Sequence, residues 1–184
     1  MNEKEKMLKG MLYFPSDKEL ENERIRCKLA CQTYNNIIYN EFTLRESALK
    51  RILIKTKGKF LIEPPFWCDY GYNIEIGQNF YANHGLTILD PAPVIFGDNV
   101  FIGPDCGFYT AAHPLDVIQR REGFEFAKPI VVGNDVWFGG GVKVMPGVTI
   151  GSNVVVAAGA IVTKDIPDNS LVAGIPAKVA KNLS

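Results

Sequence analysis

Apolar residues recur at every sixth position through much of this chain, and that period excludes most folds. From Ile130 they run Val136, Val142, Val148, Val154, Ala160 and Ile166. Two places later come Val132, Phe138, Val144, Ile150, Val156 and Val162, followed by the mostly small Gly133, Gly139, Met145, Gly151, Ala157 and Thr163. A helix repeats near about 3.6 residues and a strand near about 2. Six suits a coil with flat sides, each a short strand and a tight turn, with one side chain per side stacked inward. Three sides give about eighteen residues per coil and about five coils.

An earlier block repeats less regularly. It pairs Ile74 with Ile76, Phe80 with Ala82 and Leu86 with Ile88. After a longer step across Leu89-Asp90-Pro91-Ala92-Pro93 it pairs Val94 with Phe96, Val100 with Ile102 and Cys106 with Phe108. Gly97-Asp98-Asn99 and Gly133-Asn134-Asp135 suit corners, where positive φ is often required. The repeat stops once, between Tyr109 and Pro129, and then resumes in register. That break predicts a loop over residues 110–128 projecting from the prism, and such loops on repetitive scaffolds usually carry function. Its opening residues, TAAHPLD, hold His113, one of only two histidines in the chain.

Ahead of the repeat, residues 16–57 read as two helices. Ser16 and Glu19 have capping-box spacing, and Leu20, Cys27, Cys31, Tyr34 and Ile38 then share one face. Thr43 and Glu46 repeat the signal before Leu44, Ala48, Leu49, Ile52 and Leu53, with Lys57-Gly58 as a stop. Two short helices bury too little alone and must pack on the coil or on a neighbouring subunit. The expected division is a helical cap over residues 1–58 and a coil domain over 59–184.

Charge narrows the function. Among 184 residues, 20 basic side chains balance 20 acidic ones, which argues against bulk attraction to nucleic acid or an anionic membrane. Nothing approaches a membrane span, and the charged N-terminus lacks the apolar stretch of a signal peptide, so cytoplasm is the expected compartment. Cys27 and Cys31, one helical turn apart, read as a buried helix face rather than a metal clip, because two histidines are too few to complete a site. No metal is expected.

The stretches PPFWCDYGYNIEIGQNFYAN, GDNVFIGPD, TAAHPLD, PIVVGNDVWFGGGVKVMPGVTIG, AAGAIVTKDIPDN and AGIPAKV resemble the hexapeptide-repeat acyltransferases, specifically the maltose/galactoside O-acetyltransferase group. Gly10-x-x-Tyr13 with Asp17-Lys18-Glu19-Leu20 resembles that group's helical cap. The resemblance implies a mainly β fold, a left-handed parallel β-helix with a short helical cap and one projecting loop. The left hand comes from the resemblance alone, since the ordinary crossover rule favours the right. It further implies a homotrimer with sites between subunits, and direct acetyl transfer from acetyl-coenzyme A to a sugar hydroxyl.

Residue by residue, His113 matches the family's catalytic base, a task that suits a neutral imidazole. Asn83 matches the residue that contacts acceptor and reacting centre, where the oxyanion needs a fixed donor. Asp17, Arg24, Asp69 and Asp90 fall at or near acceptor-binding positions. Asp69 replaces a serine of some relatives, Arg26 is a nearby alternative to Arg24, and a two-residue slip weakens the match at Asp90. For the cofactor, Trp137 and Gly140 in VWFGGG would border the pantetheine groove, with Ala158, Thr163 and Lys164 further along it. Lys178 and Lys181 could hold the nucleotide phosphates. No Walker or Rossmann glycine motif is present. His84 reads as a local substitution beside Asn83. Two other readings compete: acetylation of another alcohol, such as an antibiotic or an oligosaccharide, and a non-catalytic trimeric scaffold.

Overall fold

The computed structural model describes residues 1–183. It is a left-handed β-helix whose short parallel strands stack into three flat faces. One face orders Lys55–Thr56, Ile74–Ile76, Val94–Phe96, Ile130–Val132 and Thr149–Ile150. A second face runs from Phe60–Ile62 through Phe80–Ala82, Phe101–Ile102, Trp137–Phe138 and Val154–Val156 to Ser170–Ala173. The third holds Phe66–Cys68, Leu86–Leu89, Gly107–Tyr109, Lys143–Val144 and Ile161–Val162. The second face has one more level than the five coils expected, because the coil starts ahead of Ile74: Phe60 with Ile62 and Phe66 with Cys68 already repeat at six. Its first strand, Lys55–Thr56, lies inside the segment read as helical cap.

Both apolar columns face inward. Every member from Ile130 to Ile166 and from Val132 to Val162 is buried, so each side of a coil contributes two core side chains rather than one. Burying each such side chain stabilises by about 1.5–3 kcal/mol. An aromatic ladder runs through the upper core, with Phe80, Phe96, Phe108 and Phe138 packed edge to face at 5.2, 4.9 and 5.2 Å between centroids. That geometry sets each ring's positive edge against the next ring's face. At the corners, Asn99 (φ 57) and Asp135 (φ 58) adopt the left-handed backbone foreseen for them. The corners also stack tightly. A Cβ added to Gly139 would stand 2.5 Å from the Ala158 nitrogen of the next coil, so only glycine fits there.

Four helices complete the described residues. A first helix, α1 (Glu3–Leu8), precedes the region read as helical and is closed by an Asn2–Glu5 capping box. The second, α2 (Lys18–Asn35), is capped by Asp17 and not by Ser16: the Asp17 carboxylate accepts from the Glu19 and Leu20 N–H groups. Leu20, Cys27, Cys31 and Tyr34 form its buried face as the spacing implied, but Ile38 lies beyond its end and is exposed. The third, α3 (Phe42–Ile52), starts ahead of Thr43 without a side-chain cap. A five-residue α4 (Val117–Arg121) lies in the projecting loop.

The cap closes the open end of the coil, where unpaired strand edges would otherwise meet solvent. Asn35 acts as a substitute strand: its Nδ2 donates to the Phe66 carbonyl at 3.0 Å and its Oδ1 accepts from the Phe66 N–H at 2.8 Å. Tyr34 O–H donates to the Ile62 carbonyl. Arg45, buried on α3, donates to Glu63 Oε2 at 2.7 Å and to the Tyr34 hydroxyl at 3.3 Å. At the other end, Lys178–Asn182 folds back antiparallel on Ser170–Ala173. No helix among the described residues is long and apolar enough to cross a membrane.

Candidate active site

One edge of the prism is wider than the other two, and the main cavity is built on it. At this edge successive coils turn through residues 69–73, then through 90–93, then through the loop of residues 110–128. The strand pairing shows the widening: Ile74 pairs with Val94, twenty positions on, whereas Val131 pairs with Thr149, eighteen on. Extra backbone at a buried corner needs polar partners. Asp90 supplies them, accepting from the N–H groups of Asp69 and Tyr70 at 2.9 Å and of Gly71 at 2.8 Å. Asn73 Nδ2 donates to the Asp90 carbonyl at 2.8 Å. One coil further on, the Thr110 hydroxyl donates to the Leu89 carbonyl and accepts from the Ala92 N–H.

The loop is a small flap. Ala111–Ala112 pairs antiparallel with Phe126–Ala127, and α4 lies between them. The N-terminal arm clamps it. Tyr13 and Glu125 exchange both backbone hydrogen bonds, at 2.9 and 3.0 Å, and the rings of Phe14 and Phe124 lie 4.0 Å apart. The Tyr13 hydroxyl donates to Glu125 Oε2 at 2.8 Å. Burial and the Glu125 carboxylate both push that phenol upward, so it remains a donor.

Flap, arm and widened edge enclose a cavity of about 500 Å³. His113, Arg24 and Asp69 line it, as do Tyr13, Lys28 and Glu125. His113 Nδ1 lies 3.0 Å from the Phe124 carbonyl. A carbonyl only accepts, so Nδ1 carries the proton and the neutral ring keeps its lone pair on Nε2. That nitrogen is 3.7 Å from Glu125 Oε1. Lys28 pairs with Asp69 at 3.1 Å, and Arg24 donates to the Tyr70 hydroxyl at 2.7 Å. Burial pushes the Tyr70 phenol up to about 12, against the pull of Arg24.

The remaining predicted residues lie elsewhere. Asp17 caps α2 beside the cavity, which Pro15 and Ser16 line instead. Asp90 is fully buried beneath the cavity floor. Asn83 stands on a different edge, between the second and third faces, where its Oδ1 accepts from the His84 N–H at 2.7 Å. That bond assigns the amide oxygen and leaves Nδ2 as a donor. His84 itself faces the Pro64 carbonyl. Gly140 and Ala158 lie further along the same edge as Asn83, since the Gly141 N–H bonds to Pro104 and the Gly159 N–H to Gly140. Trp137 is 56% exposed on the adjoining face. Thr163 and Lys164 turn at the next edge, and Lys178 and Lys181 lie on the terminal strand. The sequence reading missed Lys28, Tyr70 and Glu125. Lys28 follows Arg24 by one helical turn, and Glu125 lies in the same insertion as His113, so both positions carried a signal.

Asp90 yields a pH test. Burial lifts its carboxyl from 3.8 to about 6, against the backbone N–H groups that favour the charged form. With the folded value above the unfolded one, the group contributes stability that is complete below about pH 4 and lost as pH rises through about 6. Asp90→Asn is expected to remove that slope. It should also cost about 1–3 kcal/mol, because its NH2 would oppose the Gly71 N–H. Thermal melts from acid to neutral pH check both effects.

A parallel coil with a stapled helical cap and a histidine-bearing flap defines a hexapeptide-repeat acyltransferase. The comparisons agree. The maltose acetyltransferase hexapeptide capping motif matches residues 6–58, and the bacterial transferase hexapeptide (six repeats) matches residues 129–164. The galactoside O-acetyltransferase of Escherichia coli is 40% identical over 98% of this chain and 89% of its own. A maltose O-acetyltransferase structure from Clostridium difficile superposes with a TM-score of 0.98 at 43% identity, covering 100% of this chain and 98% of that one. A hexapeptide-repeat acetyltransferase of Vibrio cholerae, complexed with acetyl-coenzyme A, gives 0.91 at 38% identity, covering 100% of both chains. The chain belongs to the hexapeptide-repeat acetyltransferases, in the group of the maltose and galactoside O-acetyltransferases, and is an acetyltransferase.

Proposed function

We propose that the protein transfers an acetyl group from acetyl-coenzyme A directly to a hydroxyl of a sugar, with His113 as general base. The observation that carries this reading is the tautomer of His113. Its Nδ1–H is held by a backbone carbonyl, and the Nε2 lone pair belongs to a cavity that Arg24, Lys28, Asp69 and Tyr70 also line. Nε2 takes the acceptor's proton as the oxygen attacks the thioester carbon. Charge gathers on the carbonyl oxygen, then the C–S bond breaks and the leaving thiolate recovers the proton from the imidazolium. Glu125, steadied by Tyr13, favours the transient positive charge on the ring.

Asp69, Lys28 and Arg24 offer acceptors and donors to sugar hydroxyls, which suits a polyol better than an apolar alcohol. Asn83 donates to the developing oxyanion, and Trp137, Gly140, Ala158, Thr163 and Lys164 border the cofactor, with Lys178 and Lys181 on its phosphates. His113 and Asn83 occupy different edges of one prism. A homotrimer, in which one subunit's flap faces the neighbour's Asn83 edge, supports this chemistry because it completes the site. Thiol release from acetyl-coenzyme A with a panel of maltose, glucose, galactosides and non-sugar alcohols tests the reading. Asp69→Asn is expected to raise the sugar's KM several-fold with little change in that for acetyl-coenzyme A. Turnover confined to non-sugar alcohols would overturn the acceptor class.

A further inference from the structure

Beneath the acceptor cavity lies a second cluster with chemistry of its own. The sulfurs of Cys27, Cys31 and Cys68 all lie within 4.8 Å of one another. Cys68 Sγ is 3.5 Å from Cys27 Sγ and 3.8 Å from Cys31 Sγ. All three thiols are free and buried. The sequence shows only the two helical cysteines together; the fold adds the third from the strand Phe66–Cys68. An atom bound about 2.3 Å from each of three sulfurs in a pyramid holds them about 3.3–3.8 Å apart, so the cluster has the spacing of a three-thiolate site before anything binds.

The surroundings select among soft ligands. Of the nearby cations, Lys28 is already paired with Asp69 at 3.1 Å and Arg26 lies 3.9 Å from Glu23. Three thiolates around a divalent ion would leave net negative charge in the interior, which is costly without a partner. A trivalent centre that ends neutral avoids that cost. A cavity of about 220 Å³, lined by Glu23, Arg26, Arg51 and Tyr72 among others, reaches Cys27 from the surface. It admits a small neutral molecule.

We propose that Cys27, Cys31 and Cys68 form a binding site for trivalent arsenic, captured as arsenous acid. Three As–O bonds break and three As–S bonds form. Each thiol proton leaves with a hydroxyl as water, and no atom changes oxidation state. The product cross-links α2 to the first coil, directly behind Asp69 and Tyr70. A ligand that binds only the folded chain raises its unfolding temperature.

Native mass spectrometry of the intact protein with sodium arsenite tests the site. The expected product carries one arsenic per chain with three hydrogens lost, and melts at higher temperature. Cys27→Ser, Cys31→Ser and Cys68→Ser should each weaken binding at least about tenfold, while Cys106→Ser retains it. X-ray absorption of the wild-type adduct gives a readout independent of variant folding, with sulfur alone expected around arsenic. Oxygen in that shell, undiminished binding by Cys68→Ser, or stoichiometric zinc uptake without an arsenic adduct would overturn the proposal.

Discussion

His113→Ala is expected to lower kcat/KM for acetyl transfer by about 10²–10⁴-fold, the usual contribution of a positioned general base. That loss corresponds to about 3–5 kcal/mol of transition-state stabilisation. It should fall on kcat, because the imidazole acts on a proton in flight and contributes little to holding either substrate. Acetyl-coenzyme A binding by calorimetry and the far-ultraviolet spectrum should be unchanged, since His113 sits on an exposed flap whose anchors are Tyr13, Phe14 and Glu125. Turnover near that of the wild type would remove His113 from the chemistry. His113→Asn makes a sharper comparison: an amide can keep the bond to the Phe124 carbonyl but cannot act as a base.

The largest stability effect is expected at Arg45. Its guanidinium and the Glu63 carboxylate are both buried and 2.7 Å apart, and it lies 4.9 Å over the Tyr39 ring. Arg45→Met leaves the carboxylate without its counter-ion and strips a donor from Tyr34 and the Ile62 carbonyl at the open end of the coil. Breaking a buried pair on one side costs about 3–5 kcal/mol. The urea midpoint at fixed protein concentration should fall accordingly. Adding Glu63→Leu should recover much of the loss, because removing both charges also removes their desolvation cost. A single variant as stable as the wild type would show that the pair contributes nothing.

Local reading succeeds where the repeat governs the contacts. In a solenoid each coil contacts its immediate neighbours, so side chains six or eighteen positions apart meet by construction. Val136, Val142 and Val148 could therefore be assigned to the core from spacing alone. His113 was legible for a related reason: an interruption stands out against a period. Asp90 was not. Its match to an acceptor-binding position pointed toward the cavity, yet the widened corner needed a buried acceptor for three N–H groups, and that need turned the carboxylate inward. Lys28 and Glu125 were missed although their positions carried a signal, because what they do depends on partners that only the fold supplies: Asp69 for Lys28, and Tyr13 for Glu125.

The opening turn gives the same lesson. Residues 55–68 already set Phe60 six places before Phe66 and Ile62 six places before Cys68, but their outer neighbours are helices, not another coil, so α2 and α3 decide which side chains fit there. The chain's own order of residues determined the coil, its inward columns, its glycine and asparagine corners and the place of the flap. These depend on contacts that recur from one coil to the next. Tertiary structure alone decided the paired edges of the cavity, the tautomer of His113, the stapling of Phe66 by Asn35 and the meeting of Cys68 with Cys27 and Cys31. The staple and the cysteine cluster join segments that share no period, so the packing of the cap against the first coil had to bring them together.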